Sequence, residues 1–315
     1  MAIKNKHLLH QSGYLVKPDG SRITLSGSVF HCPCCYSEKI DAIQFHFGNF
    51  DMVHCKSCGV RYLSPLPDAD TLMALYNSSY YKDPMERQGY RDYAEDSGAI
   101  RKTYQLRLRK ATHYLPSLVG IRNVHEVGCA LGIGLEVTTQ FFHCSVSGSD
   151  ISDEAIRTCQ EKGFTCYPSD SLGRCHLPIF PKVDLMYLFD VIEHLTDIPK
   201  FLAWAYSVCS DHAILVLTTP DMDSWPNRVL QIRSPSIKIP QHVVYFNTKT
   251  LALTLQNSFS LLASLQDFQY VTLRALSRRV LHVLGIPARE LSVSLGNTLL
   301  LVPNGMRLYV FQKKK

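Results

Sequence analysis

The stretch HEVGCALGIG, residues 125–134, decides how the rest of the chain is read. A strand-like run, NVHEV, leads into it, and a helical pattern follows. Gly128 and Gly132 let the backbone approach a ligand, and a helix N-terminus comes next. A dinucleotide site would want G-x-G-x-x-G for a pyrophosphate. Here an acid, Glu126, precedes the first glycine. A carboxylate at that spot repels a pyrophosphate and suits a cationic amino group.

Downstream of this turn, apolar runs alternate with helical ones. CSVSGSD (144–150) reads as a second strand and ISDEAIRTCQEKG (151–163) as a helix. FTCYPSD (164–170) is a third strand and VDLMYLF (183–189) a fourth, with a helix to about Cys209. HAILVLTTP (212–220) is a fifth. The pattern is that of an α/β, doubly wound, mostly parallel sheet. LLASLQDFQYV and MRLYVFQKK supply the last strands, at least one of them antiparallel. The second strand ends in Asp150, an acid placed to take both hydroxyls of a ribose. The third ends in Ser169-Asp170, suited to an adenine amino group. A ligand with a ribose, an adenine, a positive charge and no phosphate matches S-adenosylmethionine (SAM).

Ahead of this region stands a different signal. Cys32-x-x-Cys35, nineteen residues, then Cys55-x-x-Cys58 presents four thiols in two turns, the pattern of a tetrahedral zinc site. Cys34 cannot share that geometry with Cys35 and is a bystander. The intervening IDAIQFHFGNFDMVHC reads as a hairpin turning near Gly48-Asn49, so the module is a zinc ribbon. Four cysteines leave no open position for a substrate, which makes the zinc structural. The other cysteines, among them Cys144, Cys159, Cys166, Cys175 and Cys209, read as small core residues. The expected organisation is a zinc-ribbon-like module over 28–64, a helical linker over 65–120 and the main domain over 121–315, with an inserted cap segment over 272–304. In the linker, Asp68 is a plausible helix cap. Tyr93 to Leu115 shows helical spacing, with Tyr104, Leu108, Ala111 and Leu115 on one face, Arg and Lys on the other, and Pro116 ending it.

Together, CPCC…CKSCGVRYLSPLP, HEVGCALG, GSDIS, FDVIEHLTDIPKFL, LVLTTPD and QHVVYF resemble the class I SAM-dependent methyltransferases, in the branch with a Cys-x-x-Cys knuckle before the catalytic domain. The resemblance implies a Rossmann-like seven-stranded methyltransferase sheet preceded by the zinc ribbon. It implies SAM contacts by Glu126, Gly128, Gly132, Asp150, Ile151 and Asp170. Ala130 departs from the family, which usually has Gly there.

Methyl transfer from a sulfonium is an in-line displacement, so the protein must align the acceptor and remove its proton where that acceptor is a hydroxyl. The candidates are Asp190, Glu193 and His194, just after the fourth strand, and His242, after the fifth. Three readings stand open. One of the histidines is a general base; or the cluster binds Mg or Zn as a second divalent metal; or Glu193 and His194 only cap a helix and shape the pocket. The arrangement Asp190-x-x-Glu193-His194…His242 resembles the metal-binding pattern of small-RNA 2′-O-methyltransferases and ubiquinone-pathway O-methyltransferases. The segment from Asp221 to Ile239 reads as a substrate lid, and LRALSRRVLHVLG as an amphipathic cap over the acceptor.

Composition sets the outer bounds. With 46% hydrophobic and 19% charged residues the chain is globular rather than disordered. The N-terminal stretch lacks a signal-peptide core and no run reaches a membrane span, so a cytoplasmic location is expected. The net charge of +6 permits an anionic partner without requiring one. The expected acceptor is a small molecule, a hydroxyl of a sugar, lipid-linked glycan or secondary metabolite. The alternative is an RNA methyltransferase gripping RNA with the ribbon; the ribbon charges between Cys32 and Cys58, two Lys against one Glu and two Asp, count against it. A non-catalytic SAM-binding scaffold would have a broken pocket, and Glu126, Asp150 and Asp170 are all present.

Overall fold

A computed structural model gives the fold; it describes residues 14–16, 22–24, 29–47, 50–76, 93, 96–115, 120–177, 181–231, 234, 236–283 and 296–315. The ribbon region holds a short antiparallel pair, β1 (Tyr14–Val16) with β2 (Arg22–Thr24), then β3 (Ile40–Phe47), β4 (Phe50–Cys55) and β5 (Arg61–Ser64). Helices α1 (Ala69–Leu75) and α2 (Ser97–Thr112) follow. The main domain runs β6 (Asn123–Val127), α3 (Ile133–Phe141), β7 (Ser145–Asp150), α4 (Asp153–Glu161), β8 (Thr165–Pro168), β9 (Val183–Phe189), a 3₁₀ turn at Ile192–His194 and α5 (Ile198–Val208). It continues with β10 (Cys209–Pro220), α6 (Trp225–Leu230), β11 (Val244–Tyr245), α7 (Thr248–Leu255), β12 (Phe259–Thr272), α8 (Leu273–Val283) and β13 (Leu299–Lys313).

Seven strands form one sheet in the order β12-β13-β10-β9-β6-β7-β8. Strands β6 to β10 pair in parallel, and β13 pairs antiparallel with both β10 and β12. The central strands are covered on both faces, which is why β9 and β10 are almost unbroken apolar runs. The helices between them start on local signals. Ser152 caps α4, Asp197 accepts from the Lys200 N–H at the head of α5, and Asn247 with Thr250 forms a capping box on α7. Asp68 accepts from the Thr71 N–H at 2.8 Å, as its position before α1 predicts.

Helix α2 differs from expectation in one respect. Its buried face carries Tyr104, Leu108 and Ala111, but also Arg107, which is 3% exposed. Arg107 stands three residues after Tyr104, on the apolar stripe itself. Of the expected cap segment, Thr272 and Leu299 to Pro303 are ladder residues of β12 and β13, and α8 is a described helical part. Residues 284–295, the stretch 80–90 of the expected linker, Pro116 and the Gly48-Asn49 turn lie outside the described residues.

The ribbon does not stand apart. Its sheet has the order β11-β5-β4-β3, so a two-residue strand of the main domain completes it. Cys32, Phe50, Met52, Tyr62 and Leu63 share one core with Val127, Met186, Phe201, Val243 and Phe246. The Ile198 N–H donates to the Pro33 carbonyl, and Tyr36 donates to Asp197 at 2.7 Å. No helix among the described residues is long and apolar enough to cross a membrane.

Candidate active site

The glycine turn follows β6 at the carboxyl end of the sheet, where open α/β sheets bind ligands. Gly128 and Gly132 both have positive φ, 76° and 84°, and a Cβ on Gly128 would stand 2.5 Å from the Val191 side chain. Ala130 is also left-handed at φ 46°, a conformation that costs a non-glycine residue about 1 kcal/mol. What holds it there is Asp150: the Ala130 N–H donates to one carboxylate oxygen and the Ser152 N–H to the other, both at 2.9 Å. The two N–H groups fix the carboxylate at the tip of β7. Ile151 is half-buried beside it. Asp170 lies farther out. It accepts from the Leu172 and Arg174 N–H groups and pairs with the Arg174 guanidinium at 2.7 Å, so an adenine would compete with that ion pair.

Glu126 is buried, and both of its oxygens are in use. Tyr104 donates to one at 2.8 Å and Tyr187 to the other at 2.9 Å. Burial raises its pKa to about 8, against the pull of the two phenols. Gly134 makes this possible, because a Cβ there would meet the Glu126 carboxylate at 2.3 Å. Sequence reading treated Tyr104 as a core residue and left out Tyr187 and Gly134. The G-I-G spacing after the turn was the available signal.

The fourth-strand acids and the two histidines separate into two groups. Glu193, His194 and His242 converge, with one ligand atom from each within 4.8 Å of the others. The imidazole rings meet edge to face, centroids 4.7 Å apart. His194 Nδ1 lies 2.8 Å from the Gln241 carbonyl and His242 Nδ1 lies 2.8 Å from the Ser236 carbonyl. A carbonyl only accepts, so each Nδ1 carries its hydrogen and each Nε2 keeps a lone pair. The Tyr76 hydroxyl also approaches His194 Nδ1, at 2.7 Å. Glu193 accepts from the Thr219 hydroxyl on one oxygen, while the other, buried, has no hydrogen-bond partner. Burial pushes the Glu193 carboxyl up to about 8, lowers His194 to about 4 and lowers His242 well below the usual histidine value. Two imidazoles and a carboxyl group therefore converge, and at neutral pH burial keeps the proton on the carboxyl.

Asp190 does not join them. The chain turns through a left-handed φ of 61° at Asp190, and its carboxylate receives both terminal nitrogens of Arg107 and the Thr218 hydroxyl. Arg107 in turn binds Asp267, 0% exposed, at 2.8 Å. Asp190 stands apart from Glu193 because the turn that follows is 3₁₀ and starts after Asp190. Asp190 is a half-exposed acid held by a buried arginine.

The four ribbon cysteines converge as their spacing predicts, all sulfurs within 4.8 Å of one another. Cys32 and Cys58 are 3.6 Å apart, as are Cys35 and Cys55, close to the sulfur separation around a tetrahedral ion. Backbone N–H groups at Cys34, Ser37, Ser57, Cys58 and Val60 point at these sulfurs and would stabilise thiolates. Cys34 is outside the set.

Between the ribbon and the segment read as a lid lies a cavity of about 480 Å³, lined by Phe45, Met52 and Arg61 on one side and by Met222, Arg228 and Ile237 on the other. Helix α6 forms part of its wall and is pinned by Asn227, which donates to the Asp221 and Gly305 carbonyls. Trp225 and Val229 on the same helix are exposed.

A family model described as "Methyltransferase domain" matches residues 100–258, just over half of the 315 residues. The chain belongs to that family, and it is a SAM-dependent methyltransferase. Solved structures similar to it include magnesium protoporphyrin IX methyltransferase from Synechocystis PCC 6803, at 15% identity and TM-score 0.47, over 78% of this chain and 100% of that one. The N-methyltransferase NodS from Bradyrhizobium japonicum WM9 is similar at 14% identity and TM-score 0.47, over 79% and 100%. No curated protein matches the chain.

Proposed function

We propose that this methyltransferase moves the SAM methyl group to a hydroxyl of a small-molecule acceptor, a sugar, lipid-linked glycan or secondary metabolite, and that Glu193, His194 and His242 manage the acceptor oxygen. The observation that carries the reading is the unpartnered Glu193 oxygen facing two imidazoles whose Nδ1 atoms are tied to carbonyls. A buried acceptor-only oxygen is costly unless a cation or a proton sits beside it. Two imidazoles and a carboxylate fit a divalent ion, zinc above magnesium because imidazole suits the softer metal. When bound, the ion would lower the pKa of an oxygen ligand. The protein's own share is positional. The Gln241 and Ser236 carbonyls hold the two rings in one tautomer, Thr219 orients Glu193, and the Val243 N–H holds the Glu193 carbonyl. Without an ion, His194 Nε2 is the lone pair that accepts the hydroxyl proton, and its low pKa keeps it unprotonated at neutral pH.

The cofactor reading rests on the open turn at Gly128 to Gly132 and on Asp150, with Ile151 and Asp170 at its edge and Glu126 behind it. Four sulfurs at tetrahedral spacing support structural zinc at Cys32, Cys35, Cys55 and Cys58. The cavity between ribbon and lid has the size of a small-molecule site, which supports a small acceptor. The ribbon spends Phe50, Met52 and Tyr62 on the shared core and its β5 edge on β11, so those aromatic side chains are taken up by packing rather than offered to RNA bases.

Native mass spectrometry tests the assignment. Two divalent ions are expected, one of them lost from His242→Ala without loss of the other. One ion in both proteins would remove the metal reading and leave the histidine base. No ion at all would overturn the ribbon assignment as well.

A further inference from the structure

A second group of cysteines converges in the main domain. Cys129 lies in the glycine turn, Cys159 on α4 and Cys166 on β8, and their sulfurs lie within 4.8 Å of one another. All three residues are buried. Cys129 and Cys159 sulfurs are 4.0 Å apart. Sulfurs that share an ion at a bond length of about 2.3 Å stand about 3.8–4.0 Å apart, so the pair already has ligand spacing. We propose that Cys129, Cys159 and Cys166 form a binding site for a soft monovalent ion, copper(I), placed beneath the turn that receives the cofactor.

The ligand chemistry selects the ion. The cluster offers three sulfurs and, among the described residues, no fourth ligand; structural zinc takes four. Thiolate ligands favour copper(I) over harder ions. Each thiol gives its proton to solvent as the ion enters, because the thiolate is the ligating form.

The site is wired to the turn. The Cys159 thiol donates to the Ala130 carbonyl at 3.3 Å, and its sulfur lies 3.0 Å from where a Cβ on Gly132 would be. Cys129 packs against Gly148 on β7, two residues before Asp150. Drawing the sulfurs around an ion releases the Ala130 carbonyl and shifts the turn. Bound copper and SAM then oppose each other, and linkage requires the effect to be mutual. This second half rests on reading Gly128 to Gly132 as the cofactor turn; the copper site itself does not.

The test supplies copper(I) anaerobically, as its bicinchoninate complex, to the full chain carrying its zinc. One equivalent is expected to enter with no zinc released, and X-ray absorption is expected to show three sulfurs around it. Cys166→Ala should lose that equivalent yet keep its SAM affinity in the absence of copper, which also shows that it folds. In the unaltered chain copper should weaken SAM about tenfold, and SAM should weaken copper by the same factor. Copper uptake that expels zinc, or that Cys166→Ala leaves unchanged, would overturn the site. Three-sulfur copper with no effect on SAM would overturn the coupling alone. Loss of SAM binding without copper would speak against the cofactor turn instead.

Discussion

If Glu193, His194 and His242 hold a divalent ion, its binding should expel a proton, and the structure says how much. With Glu193 at about 8 and His194 at about 4, the ion-free cluster at pH 7 carries its proton on the carboxyl group. About 0.9 of the Glu193 side chains are then protonated, about half at pH 8 and about a tenth at pH 9. A metal takes only the carboxylate, so zinc should release about 0.9 protons at pH 7, falling toward zero by pH 9. Neither histidine adds to the count, because both are already neutral. Titration calorimetry in buffers of different ionisation enthalpy measures the number directly. Glu193→Gln has nothing to release and should give a flat profile. The same shift has a sign in stability. The folded pKa lies above the unfolded value of 4.5, so the ion-free protein loses stability as pH rises from there through 8. Glu193→Gln should therefore stabilise the ion-free protein at pH 7, by up to about 3 kcal/mol in urea unfolding. Zinc that binds at pH 7 with no proton release would refute the reasoning, as would release that grows with pH.

Three further outcomes follow from other contacts. Cys55→Ser, which removes one of the four converging ribbon sulfurs, should cut methyl transfer by about a hundredfold while SAM binding, read by calorimetry, changes little, since about 1 Å of misplacement suffices for such a loss; equal loss of both would mean global unfolding. Arg107→Met leaves Asp267 buried without its cation and should cost about 3–5 kcal/mol in denaturant unfolding, and a cost below about 1 kcal/mol would show that water reaches the pair. His125 is held near 3 by burial between Ser147 and Ser149, so its contribution is intact above pH 6.5 and lost as pH falls toward 3. Unfolding curves at pH 7 and pH 4 should differ by about 3 kcal/mol more in the unaltered chain than in His125→Gln.

What was legible in the sequence was local. The strands of the main sheet, the glycine turn, the Cys-x-x-Cys pairs and the cap at Asp68 each depend on a few neighbouring residues, and each is where the spacing puts it. Arg107 was legible too, three residues after Tyr104, but a charge on an apolar stripe makes sense only once Asp190 and Asp267 are seen to meet it. The convergence of Cys129, Cys159 and Cys166 joins a turn, a helix and a strand, and no spacing rule links them. The role of the ribbon was hidden for the same reason. QHVVYF carries a catalytic candidate, His242, yet its next residue does the joining. The Val243 N–H donates to the Glu193 carbonyl, and the Val243 carbonyl accepts from the Leu63 N–H. One residue therefore ties the turn bearing Glu193 and His194 to ribbon strand β5, and its neighbour is the third member of the cluster. A ribbon that only decorated the surface would have no reason to end its sheet there. The module bearing the four cysteines is therefore built into the same scaffold as the turn that carries Glu193 and His194.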